Sequence, residues 1–252
     1  MNRVFYGCLA FVFFSCSEQP TATQVARDAV PVEHIIAIKD QQARRAQSEA
    51  VCKAHDVPIY QNPNAMFVDS EAETSLRTKD QVVDRALALC FIGLKSEGLS
   101  PARLVDIDRA YHITPKLSPT ELAYVTAKEP TDQQRLDANW RYESLHVMLW
   151  ALGYVDALDY PDRMCDVAHD AKIIHDLSAA QFRQRATLRT KKEVLDQTDL
   201  ILRLDWACTE ARLAKKPMPG NLNSEIIMER HHSLNWLITY MDQVWDDVST
   251  DT

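Results

Sequence analysis

The chain has 252 residues, 46% of them hydrophobic and 25% charged, enough to bury a sizeable core as one large domain or two small ones. Five glycines, about 2% against an average near 7%, disfavour a loop-rich β architecture and favour helices. A formal charge of −8 argues against the clustered basic surface that phosphate binding needs, so no nucleic-acid partner is expected.

Met1 to Arg3 supplies a short positive n-region, and Val4 to Phe14 is an apolar run of eleven residues, too short to span a bilayer. This reads as a signal peptide over residues 1–15. The run ends Phe13-Phe14-Ser15-Cys16, and a small residue directly before a cysteine resembles the lipobox of bacterial lipoproteins, with Phe13 where Leu is usual. Phe13 also spoils ordinary signal-peptidase cleavage before Cys16. Acylation of Cys16 is therefore expected, giving an exported domain lipid-anchored to the bacterial envelope. Ser17 after the cysteine fits outer-membrane sorting in a Gram-negative host. Cleavage removes Arg3 and leaves 27 basic against 36 acidic side chains, a net charge of −9. Residues 16–32, with Pro20, Pro31 and small polar residues, make a tether.

Residues 33–252 read as a mainly all-α, single compact multi-helix domain, with helices expected at 33–55, 79–97, 101–111, 119–128, 132–152, 162–175, 179–186, 191–214 and 224–241. The starts are marked by Ser or Thr with Glu or Gln three residues on: Thr78 with Gln81, Ser118 with Glu121, Thr131 with Gln134, Thr190 with Glu193, and Ser178 with Gln181. Gly98, Gly153 and the stretch from Pro217 to Gly220 are the stops. One segment breaks the pattern: residues 57–75 carry two prolines and no helical stripe, and read as extended chain or a short hairpin about Asn62-Pro63-Asn64. Cys52, Cys90, Cys165 and Cys208 lie in apolar surroundings, as two disulfides or as buried free thiols; no pair has CxxC spacing.

None of GxSxG, HExxH, GxGxxG, a phosphate-binding loop or an EF-hand loop is present, and no cofactor or metal is implied. Three polar-aromatic blocks remain. In the first, Arg141 and Glu143 are two apart and cannot meet on one helix face, while His146 reads as a satisfied half-buried histidine. In the second, Arg203 and Asp205 interrupt LILRLDWAC, which is apolar nearly all round, so both are expected buried and paired. The third sets Glu229, Arg230, His231, Asn235 and Trp236 beside the stripe Ile227, His231, Leu234, Ile238 and Met241. It runs into Trp245, Asp246, Asp247 and Asp251, an acidic end expected to dock as a closure of the domain. A metal reading would recruit His231 with Asp246, Asp247 or Asp251; Asp166, His169 and Asp170 have the spacing of a second small site but read better as exposed polarity.

The blocks TKDQVVDRALALCFIGLKSEGL (78–99), WRYESLHVMLWALG (140–153), PDRMCDV (161–167), LRTKKEVLDQTDLILRLDWACTEARL (188–213), and ERHHSLNWLI followed by WDDVSTDT resemble the DUF4272 family, a domain of unknown function found mainly in bacterial proteins. The likeness spans most of the chain beyond residue 15. Asp205 stands where the resemblance implies His, in an HWA pattern. It carries no activity to transfer. Two readings follow: a non-catalytic, membrane-tethered interaction module for an unknown protein or small ligand, or a hydrolase-like or metal-dependent enzyme with a polar cleft between the late helices.

Overall fold

A computed structural model describes residues 37–62 and 67–252; the expected signal peptide, the tether and Cys16 lie outside these residues. The described chain forms nine α-helices and no strand. In chain order they are α1 (Lys39–Ala54), α2 (Lys79–Ser96), α3 (Pro101–Tyr111), α4 (Pro119–Thr126), α5 (Asp132–Ala151), α6 (Val167–His175), α7 (Ala179–Arg185), α8 (Lys191–Leu213) and α9 (Ser224–Leu237).

The five Ser/Thr capping boxes form as the sequence implies, each hydroxyl accepting the backbone N–H three residues on. Gly98 and Gly153 follow α2 and α5 with φ of 80° and 76°, a left-handed conformation that glycine adopts without a Cβ penalty. The five longer helices pack in the order α2, α5, α9, α8, α1, with α2 against α5 the most extensive contact. The shorter α3, α4, α6 and α7 gather on α2. From Val82 to Gly93 almost every side chain of α2 is buried, as its apolar sequence requires of a central helix. The close approach of α2 to α5 depends on Gly93, where a Cβ would stand 2.4 Å from the Tyr142 ring.

Of the two readings of residues 57–75, the described part is non-helical chain without strand pairing and not a hairpin: its carbonyls bond across to side chains, Tyr60 and Asn62 to Arg45 and Val68 to Gln41. Two helix bounds are corrected. The helix expected from residue 162 begins at Val167, because Asp166 is its N-cap. The last helix stops at Leu237; Thr239, Met241 and Asp242 then take positive φ, so Met241 leaves the core stripe and is 69% exposed. The four described cysteines are free thiols.

Candidate functional site

The three polar blocks meet where α5, α8 and α9 pack, and they resolve into separate pairs. Arg141 places its Nη1 3.0 Å from Glu229 Oε2, and the Ser144 hydroxyl donates to the same oxygen at 2.7 Å. Arg230 donates from Nε to Glu143 Oε2 at 3.0 Å and from Nη1 to the Asp159 carbonyl at 2.6 Å. The other Glu143 oxygen accepts the Cys165 N–H at 2.6 Å, pinning the loop before α6 to α5. Residues 141 and 143 thus reach different partners on α9, because they leave α5 in different directions.

On α8, Arg203 bonds Asp199 one turn back, at 2.8 Å, rather than anything on α9. Asp205 Oδ2 lies 2.7 Å from His231 Nδ1, so the residue standing in place of the implied histidine is the hydrogen-bond partner of the histidine on the core stripe. Glu143, Arg203, Glu229, Arg230, His231, Asn235, Trp236 and Trp245 are all buried. Two small recesses, about 200 and 110 Å³, reach the edges of this lattice at Arg230 and at Asp205.

The acidic end docks through its backbone and its tryptophan. Asn235 donates to the Ser249 carbonyl at 2.9 Å, and Arg77 donates to the carbonyls of Trp236 and Gln243 at 3.1 and 2.6 Å. Trp245 meets Trp236 edge-on, and Arg85 lies over its ring at 4.7 Å while pairing with Glu121. His232 bonds the Trp245 carbonyl through Nε2 at 2.9 Å, so that nitrogen carries the proton; burial, reinforced by Arg141, lowers its pKa from 6.5 to about 4.

The three aspartates grouped with His231 go elsewhere. Asp246 accepts the Thr120 N–H at 3.0 Å; burial raises its carboxyl, but bonds from Ser118 and Thr120 outweigh this and hold it below the usual range. Asp247 is exposed, and Asp251 accepts from the Ser249 hydroxyl. Of the second spacing-based group, Asp166 caps α6 and His169 is exposed, but Asp170 is fully buried and lies 2.8 Å from His146 Nδ1. Asp170 sits three residues after Val167 and four before Ile174, an apolar stripe position, and that placement was the available signal of its burial.

A roomier concavity than these recesses lies elsewhere again. It is a cleft of about 700 Å³ between α2, α3 and α6, which the polar blocks did not foreshadow. Leu87, Phe91, Ile107 and Ile174 are among the apolar side chains lining it, and Arg103, Asp106, Lys172 and Asp176 are exposed charged groups at its margin. Cys90 also lines it, with its thiol pushed up to about 12 by burial, as Cys52 and Cys208 are to about 11. Such thiols are not thiolate nucleophiles at neutral pH.

Helical order and lattice together define a single-domain all-α protein braced by buried ion pairs. The chain belongs to the DUF4272 family, a domain of unknown function, whose family model matches residues 44–248. No curated protein and no solved structure matches it significantly.

Proposed function

We propose that this protein is a non-catalytic binding module of the bacterial envelope, tethered through acylated Cys16, that takes a small amphipathic ligand into the cleft between α2, α3 and α6. The observation that carries the reading is the separation of roles. The polar side chains where α5, α8 and α9 pack are mostly buried and bond to protein partners, whereas the cleft of about 700 Å³ is apolar-walled with a charged margin. A ligand site needs that combination, an apolar surface for affinity and a few polar groups for orientation. The reading as an enzyme with a polar cleft between the late helices has less support, because those groups already have protein partners.

Anilinonaphthalene sulfonate, an amphipathic anion, is a direct probe. Saturable one-site binding is expected, abolished by Ala110→Trp, which fills the cleft, and kept by Asp247→Ala, an exposed residue outside the cleft lining. Near-ultraviolet circular dichroism checks that each variant remains folded. The absence of saturable binding, or binding indifferent to Ala110→Trp in a folded protein, overturns the cleft assignment. Labelled palmitate incorporation that survives Cys16→Ser overturns the tether.

A further inference from the structure

Behind the α6 wall of the cleft, three side chains of different chemistry converge. His146 comes from the C-terminal half of α5, Cys165 from the loop before α6, and Asp170 from the first turn of α6. One ligand atom from each lies within 4.8 Å of the others, and His146 Nδ1 stands 2.8 Å from Asp170 Oδ2. A tetrahedral zinc ion with bonds of about 2.0–2.3 Å sets its ligand atoms roughly 3.3–3.7 Å apart, a spacing these three reach by small side-chain adjustments.

A second observation points to a cation. Asp170 is fully buried, and its Oδ1 has no hydrogen-bond partner. A buried carboxylate oxygen without a donor is costly, and a positive ion offsets that cost in the way a missing N–H would have done. The surroundings are also built. Glu143 Oε1 accepts the Cys165 N–H, and Arg230 fixes the other oxygen of Glu143, so the loop carrying the thiol is held from behind. His146 keeps 12% of its side chain exposed, which gives an ion a way in.

We propose that His146, Cys165 and Asp170 bind one divalent cation of zinc-like chemistry. Nitrogen, sulfur and carboxylate oxygen together favour a borderline-soft ion over calcium or magnesium, and three protein ligands leave the fourth position to water. On binding, the Cys165 S–H bond breaks, the sulfur keeps the electron pair and bonds the metal, and the proton passes to solvent. The site uses none of the residues that line the cleft and stands or falls separately from the ligand proposed there.

The test is metal binding by purified full-length protein, stripped with chelator and dialysed against Zn²⁺ or Co²⁺ alone. About one ion per chain is expected, and the Co²⁺ form should show tetrahedral visible bands with a near-ultraviolet thiolate-to-metal charge-transfer band. Cys165→Ser should remove the charge-transfer band, and Asp170→Asn and His146→Gln should each weaken Zn²⁺ binding roughly tenfold or more. His169→Gln, one position from Asp170 but exposed, should bind as the unaltered protein does. Sub-stoichiometric uptake by the unaltered protein, a Co²⁺ spectrum without charge transfer, or charge transfer persisting in folded Cys165→Ser overturns the proposal. If Cys165→Ser does not fold, the unaltered spectrum and the affinities of Asp170→Asn and His146→Gln decide it.

Discussion

Each buried charge in the lattice has one principal partner, and that makes single substitutions harsher than paired ones. Arg230→Met would strand Glu143, fully buried, with its Oε2 unpaired, and should cost about 3–5 kcal/mol in denaturant unfolding. The pair Glu143→Met with Arg230→Met removes both charges and should recover a good part of the loss, a non-additivity that a double-mutant cycle reads directly. Asp247→Ala, exposed, should stay within about 0.5 kcal/mol, although from sequence alone this aspartate belongs with the same polar group. The reason is geometric. Sequence spacing gives the faces of one helix, so burial of Arg203 and His231 is legible, but it does not say which residue of another helix stands opposite. Glu229 with Arg141, and Asp205 with His231, depend on how α9 is set against α5 and α8. His232 adds a pH dependence. Its pKa is lowered from 6.5 to about 4, so the unfolded chain binds the extra proton first. The stabilisation is complete above pH 6.5 and is lost as pH falls from 6.5 towards 4, by at most about 3 kcal/mol. Unfolding free energies measured across that window should show a slope that His232→Gln reduces; an unchanged slope contradicts the assignment.

At the level of elements the sequence is far more explicit, because helix ends are written locally. A hydroxyl and a carboxamide or carboxylate three residues apart satisfy backbone donors wherever the rest of the chain goes, which is why the starts of α2, α4, α5, α7 and α8 could be read directly. Thr190→Ala should therefore cost about 1 kcal/mol, the usual loss of a cap, since Glu193 would keep its bond to Arg189. The end of α9 was less legible. Ile238 and Met241 continue its apolar spacing, yet the chain turns left-handed at Thr239, whose hydroxyl bonds the Ser75 carbonyl, a tertiary contact that no local pattern encodes. Gly93 marks the opposite case, a helical glycine set by packing alone. Gly93→Ala forces a methyl against the Tyr142 ring and should cost about 1–3 kcal/mol, read as a fall in melting temperature.

At the scale of the whole molecule, the C-terminal segment joins elements that are otherwise distant. Its Gln243 carbonyl accepts from Arg77 before α2, its Asp246 accepts from the start of α4, and its Trp245 fills the space between Arg85 of α2 and Trp236 of α9. No helix of the described chain is long and apolar enough to cross a membrane. Removing residues 243–252 would uncover Trp236, take the ring from above Arg85 and free the Asn235 side chain from the Ser249 carbonyl. Loss of the buried tryptophan alone is worth about 3–5 kcal/mol, so a large drop in melting temperature is expected. The same truncation admits water to His232, and lifting the burial that is the largest cause of its low pKa should outweigh the loss of the Trp245 carbonyl and Asp246, which raise it, so its pKa should return towards 6.5. The truncated protein should therefore be less stable at neutral pH yet lose less of what remains on acidification. A truncation that lowers stability equally at every pH from 6.5 to 4 would separate His232 from the closure and refute the coupling between them.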